Sequence, residues 1–333
     1  MNQNNLKPLD CHVHIVGNGS SGSGCWIRLR GAKRILARFM LANFGLPVAS
    51  LKGDLDRLYV ERLLHLVRTS SLGQTTILAH DNVYDESGNI IEGKGSFYVP
   101  NQYVLRLGRE HPEFLPVVSI HPARKDALDE LDRCLEGGAV MMKCLPNCHN
   151  INVNDPRLKP FWKKMADARL PLLAHTGGEL SVPVVNKAYQ DPRILTQALE
   201  CGVTIIAAHS ATSSGVFDPN YLPVLSQMLD RYPHLYADNS ALCSPLRSKH
   251  LRTCLQEKLQ ARMVHGSDLP IPVSGVWLWL RGLIDYGTYR TLEKIPNVLE
   301  RDYQLKKALG FSPESFTRLR GLLRTSYTVR KKS

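Results

Sequence analysis

Several features are missing from this sequence, and each absence narrows what it can be. No apolar stretch approaches the roughly 20 residues that a membrane helix needs, so no membrane partner is expected. No apolar stretch follows the polar start Met1–Asn5, so nothing reads as a secretory leader. The eight cysteines include no CxxC pair, and they read as reduced thiols of a cytoplasmic protein. Acidic side chains are the scarcer charge, 30 against 42 Lys and Arg, which leaves a formal net charge of +12. Such an excess can draw in nucleic acid, a membrane surface or a small acidic substrate. The basic residues are scattered, however, with denser groups only at Arg28–Arg38 and in the tail Arg324–Lys332. No nucleic-acid motif accompanies them, and the tail reads as a solvated end. There is no internal repeat, no sharp linker and no low-complexity block beyond one short Gly/Ser stretch.

What is present is a repeated strand-then-helix rhythm. Eight short runs rich in β-branched residues span Leu9–Val16, Thr75–His80, Leu115–His121, Ala139–Leu145, Pro171–His175, Val203–His209, Leu235–Asn239 and Arg262–Gly266. Amphipathic patterns lie between them. Leu55, Leu58, Tyr59, Leu63, Leu66 and Val67 keep helical spacing after Asp54, and Leu128, Leu131 and Leu135 do so before Gly137-Gly138. Eight such units predict an α/β fold, a closed (β/α)8 TIM barrel with parallel strands, and 333 residues suit one such domain with additions. Two additions are expected. Segment 17–53 separates the first strand from its helix, opening with a flexible Gly/Ser stretch and continuing as a basic amphipathic helix pattern over Cys25–Phe44. The region from about Val276 reads as several further helices. An insertion after the first strand lies over the catalytic face. It is either a surface excursion or a lid carrying Arg28, Arg30, Lys33 or Arg34 toward an acidic substrate.

Strand parity locates candidate chemistry. In Leu9-Asp10-Cys11-His12-Val13-His14-Ile15, residues two apart share a face. That predicts Asp10, His12 and His14 toward the barrel axis, with Cys11, Val13 and Ile15 toward the helices. Lys143 shares parity with Met141. His175 ends the fifth run, Ala207 and His209 share a face on the sixth, and Gly266 and Asp268 share one on the eighth. Two imidazoles on one face at a strand end suggest half of a metal site. A carboxylate after Val264-His265-Gly266-Ser267 is hard to explain as packing.

The order HxH, Lys, His, His, Asp on strands one, four, five, six and eight resembles the amidohydrolase superfamily of metal-dependent barrels. Pro171-Leu172-Leu173-Ala174-His175-Thr176-Gly177 and Ile205-Ile206-Ala207-Ala208-His209 are similar to its amidohydrolase-related branch, which includes aromatic acid decarboxylases and lactone hydrolases. The resemblance runs from about Leu9 to Pro270. It implies that His12, His14, His175 and Asp268 hold one divalent metal, Zn²⁺ first and Mn²⁺ as an alternative. It also implies that Asp268 takes a proton from a water whose pKa the metal lowers to roughly 7. His209 and Lys143 separate two versions. In one, Lys143 is carboxylated and bridges two metals, with His175 and His209 on the second. In the other, a single metal is present, His209 polarises substrate or shuttles a proton, and Lys143 is a cation.

Plainer roles compete for the remaining candidates. His80 and His121 could line a pocket rim or be structural, His149 reads as a loop residue, and His265 should pack outward. Asp238 could bond a ligand histidine or cap a loop, and Glu179 could reach the pocket or cap the next helix. Cys144, Cys148 and His149 do not match a structural zinc site. Trp277 and Trp279 are expected in the core. The function expected is a metal-dependent hydrolase cleaving a C–O or C–N bond of a small, anionic substrate. A nonoxidative decarboxylase on the same site and a non-catalytic binding barrel are the alternatives. A homo-oligomer is compatible with the sequence.

Overall fold

The computed structural model describes residues 6–215 and 218–324. The polar start Met1–Asn5 and the basic tail beyond Arg324 lie outside the described residues. Ten strands occur among the described residues: β1 (Leu9–Asp10), β2 (Trp26–Ile27), β3 (Gln74–Leu78), β4 (Phe97–Tyr98), β5 (Phe114–Val118), β6 (Met141–Cys144), β7 (Leu172–His175), β8 (Ile205–Ala208), β9 (Leu235–Asp238) and β10 (Met263–Val264). Eight of them form one parallel sheet in the order β1-β3-β5-β6-β7-β8-β9-β10. The two ends of that sheet meet. Cys11 N–H donates to the His265 carbonyl at 2.9 Å, Asp268 N–H to His12 at 2.8 Å, and His14 N–H to Leu269 at 2.8 Å. The expected (β/α)8 barrel therefore forms and closes, and each of the eight predicted runs supplies a strand.

Alternation along the strands sorts the core into two layers. Leu115, Val117, Met141, Leu173, Ile206, Ala208 and Val264 fill the barrel, while Ile77, Met142, Leu172, Ile205, Ala237 and Met263 face the surrounding helices. The helix Leu319–Leu322 seals the amino end, its Leu319 buried against the interior layer. Two parity expectations fail. Cys11 packs in the interior layer with Leu9, not against the helices. β1 ends at Asp10 and the chain bends at Cys11, so Asp10 turns aside and accepts the N–H groups of His12 and Ser267. Similarly, Ala207 packs outward and Ala208 inward. His209 reaches the interior side nonetheless, because His209, Ser210 and Ala211 take left-handed backbone angles, with φ of 57°, 51° and 54°.

The Gly/Ser start of segment 17–53, expected as a flexible stretch, is bonded to the helix that follows the segment. The Asp56 carboxylate accepts the N–H groups of Asn18 at 2.7 Å, Gly19 at 3.1 Å and Ser21 at 3.1 Å, and also the Ser21 hydroxyl. A side chain at Gly17 would stand 2.5 Å from that carboxylate. Helix α1 covers Ala32–Phe44, not Cys25–Phe44. Trp26 and Ile27 pair antiparallel with Tyr98 and Phe97 instead, and Gly31, at φ 53°, separates strand from helix. Helix α2 (Leu55–Arg68) follows, burying Leu55, Tyr59, Leu63, Leu66 and Val67. Five further helices lie between Val276 and Leu322. In the first of these, Val276–Leu280, Leu278 is buried but Trp277 and Trp279 are exposed, which corrects their expected place in the core. One short turn of helix presents a single side to the barrel, and Trp279 stacks on Tyr289 outside it. No described helix is long and apolar enough to cross a membrane, and all eight cysteines are free.

Candidate metal centre

Strand ends bring six of the candidate side chains together at the carboxyl rim of the barrel. His12 is fully buried. Its Nε2 lies 3.3 Å from Asp268 Oδ1 and 2.9 Å from Lys143 Nζ. His14 Nε2 lies 3.3 Å from the same Asp268 oxygen. The rings of His12 and His209 are 5.0 Å apart, and those of His209 and His175 are 4.9 Å apart. Ligand atoms of His12, His209 and Asp268 all fall within 4.8 Å of one another, the one such group of three among the described residues. His175 Nε2 is buried without a hydrogen-bond partner. Its nearest carboxylate, Glu179, stands 3.6 Å away. An orphaned, buried ring nitrogen beside two imidazoles and a carboxylate fits a divalent cation of the zinc type.

A single carboxylate, Asp238 on β9, fixes the lone pairs of two of these rings. Its Oδ2 accepts His12 Nδ1–H at 2.8 Å, which leaves His12 Nε2 as a lone pair. Its Oδ1 accepts the Ser240 hydroxyl proton and the His209 N–H. Ser240 has one proton to give, so its oxygen in turn accepts His209 Nδ1–H at 2.8 Å. His209 thereby keeps its Nε2 free of a proton. Asp238 thus both bonds a candidate ligand histidine and caps the loop after β9.

Burial sets the charge states. It pulls His12 down to about 4, with Lys143 adding to the effect. His175 and His209 are held well below the usual histidine range by burial, with Lys143 and Arg247 assisting. All three imidazoles are therefore neutral, the form that can ligate. Burial pushes the Asp268 carboxyl up, but His12, His14 and Lys143 outweigh it and hold the group well below the carboxylate range. Burial likewise lowers the Lys143 ammonium.

A cavity of about 130 Å³ opens over the cluster. His14, Lys143, His175, His209 and Asp268 form its floor, and Lys33, Leu36, Ala37, Met40 and Leu41 of α1 form its roof. Arg28 and Arg30 are exposed, and neither lines the cavity; Arg28 lies 4.3 Å over the Trp26 ring. The basic group of the insertion that does reach the cavity is Lys33. Glu179 lines the cavity and accepts the N–H groups of Ser181 and Val182, so it both reaches the pocket and caps a turn. His80 stacks on Phe97 at 3.9 Å, with its Nε2 3.1 Å from that of His149, and His121 bonds the His149 carbonyl. These three form a buried layer behind the cavity wall. His265 packs outward against Phe316.

Sequence reasoning did not find Arg247, and it set Ser240 on the face of Asp238 without giving it a role. Arg247 is buried and donates to the carbonyls of Thr212 and Gly178, tying the loop after β9 to those after β7 and β8. An arginine in a loop gives no sign of burial, whereas strand parity does bring Ser240 to the side of Asp238.

No curated protein matches this sequence. An uncharacterised TIM-barrel protein from Bordetella bronchiseptica is similar in structure, with a TM-score of 0.61, 16% identity, and coverage of 95% of this chain and 99% of that one. The apo form of IDCase from Metarhizium anisopliae has a TM-score of 0.51 at 12% identity, covering 97% and 98% of the two chains. Both likenesses concern the fold. The amidohydrolase family model matches residues 76–287. With that match spanning most of a closed barrel whose strand ends gather these histidines and this aspartate, the chain belongs to the amidohydrolase family.

Proposed function

We propose that this chain is a metal-dependent hydrolase acting on a C–O or C–N bond of a small molecule at the carboxyl rim of its barrel. The observation that carries the reading is the meeting of His12, His209 and Asp268 within 4.8 Å, beside the unpartnered Nε2 of His175. His12, His14, His175 and Asp268 would hold the ion, with His209 as a further donor. Zinc suits this mixture of nitrogen and carboxylate donors, and manganese is the alternative. When bound, such an ion supplies Lewis acidity and lowers the pKa of water.

The side chains have distinct tasks in this reading. Asp268, ionised and beside both His12 and His14, accepts a proton from the attacking water and returns it to the leaving group. His209, with its ring fixed by Ser240, presents Nε2 to substrate or to a second ion. Lys143 cannot remain an ammonium donor to His12 Nε2 while that lone pair serves a cation. It must lose its proton, turn away or become the carboxylated bridge between two ions. Burial beside Met141 favours the uncharged amine that carboxylation requires.

Elemental analysis with a pH-stat assay tests the reading. His12→Ala and Asp268→Ala should each remove bound metal and reduce turnover by more than a thousandfold; retained activity in either would overturn the assignment. Lys143→Ala should take the metal content from two to one if the lysine bridges. The apolar residues of the cavity roof favour a second reading, loss of CO₂ from a desolvated carboxylate. Release of CO₂ without consumption of base would select it. Protein that binds no metal and cannot be reconstituted would instead be a binding barrel.

A further inference from the structure

We infer that the space beneath α1 is an apolar subsite for an uncharged hydrocarbon group on the substrate, the polar reacting end resting on the floor. This rests on the reading of that floor as the reaction centre. Three observations carry it. First, Leu36, Ala37, Met40 and Leu41 recur at helical spacing on the cavity side of α1, facing Phe97 and Ile271. Second, the charges present are already engaged. Lys33 Nζ, the cation that α1 brings to the cavity, donates to the Ser181 carbonyl at 3.3 Å and has the Glu179 carboxylate near it. Third, Arg28 and Arg30 lie outside the cavity. A carboxylate at the far end of a substrate would therefore lose its water and meet only Lys33, whose charge Glu179 already offsets.

Size bounds the group. The cavity measures about 130 Å³. Apolar cavities of roughly 150 Å³ accept benzene, so the group holds about six carbons. This departs from the anionic substrate expected from net charge. The excess positive charge is spread over the sequence, and the insertion turns its arginines outward.

The test titrates the purified protein with straight-chain alcohols by ligand-observed NMR, and with hexanoate against adipate. Affinity should rise on the order of fourfold per methylene from propanol to hexanol and then level off. Hexanoate should bind at least tenfold tighter than adipate, which differs only by a far-end carboxylate. Ala37→Trp and, as a second variant, Met40→Trp should each abolish hexanol binding while keeping the native circular dichroism spectrum. A flat chain-length series, adipate binding as tightly as hexanoate, or unchanged hexanol binding in both folded variants would overturn the subsite. Hexanol needs no metal, so the two proposals fail separately. Hexanol binding without metal-dependent turnover leaves the subsite and removes the hydrolase. Turnover without the chain-length trend does the reverse.

Discussion

Asp238 accepts three hydrogen bonds that matter to the centre: from His12 Nδ1, from the His209 backbone and from Ser240. An amide at this position has one accepting oxygen, so Asp238→Asn cannot satisfy all three donors. Metal affinity should fall by about 10–100-fold, the usual cost of losing such a support, with the fold intact. Competition against a chromophoric chelator measures it, and unchanged affinity would remove Asp238 from the centre. Ser240→Ala frees only His209 and should cost less. The candidate ligands were legible in the sequence because strand parity is a local rule, and Lys143, His175 and Asp268 sit where it puts them. Asp238 was also legible as a bond to a ligand histidine or a loop cap, but not which histidine it serves. Asp238 lies on a distant strand, and its pairing with His12 exists only once the barrel closes.

At the scale of elements, the Gly/Ser stretch and α2 form one unit through Asp56. Four donors converge on a carboxylate that burial alone would push up and that these bonds hold below its usual range. Asp56→Ala should leave them competing for water and destabilise the segment by roughly 1–3 kcal/mol. Hydrogen exchange at residues 18–21 should then quicken while the barrel strands stay protected; unchanged exchange would show that other contacts order the segment. Composition alone suggested flexibility here, because Gly and Ser carry no packing signal and the organising residue stands on the next helix. The strands were read well for the opposite reason, since β-branched runs and their spacing carry the barrel. The misread faces, at Cys11 and Ala207, lie beside a bend and beside a left-handed turn, where alternation ceases to apply. Phe44 of α1 stacks on Tyr59 of α2 at 4.3 Å, and the Tyr59 hydroxyl bonds the His14 carbonyl. The roof of the cavity is thereby joined to a candidate ligand.

For the whole molecule, buried neutral histidines make stability depend on pH. Burial holds His121 near 4 and His149 near 3, against about 6.5 when unfolded. Between those values the unfolded chain binds more protons than the folded one. Stability is therefore complete above about pH 6.5 and is lost as pH falls toward 4. The acid loss is roughly 3 kcal/mol for His121 and roughly 5 kcal/mol for His149. Denaturant midpoints should fall steeply over that interval, and a His121→Gln, His149→Gln double variant that folds should lose part of the slope. An identical slope would place the acid sensitivity elsewhere. A different property of the whole follows from where the barrel closes. His12 and Asp268 stand across the junction of the first strand with the last, linked by their own backbone. During synthesis the early histidines leave the ribosome long before their aspartate partner exists. An unfinished or prematurely terminated polypeptide would thus offer no complete cradle for an ion, and uptake of a cation at this candidate centre would mark that translation has reached its final strand.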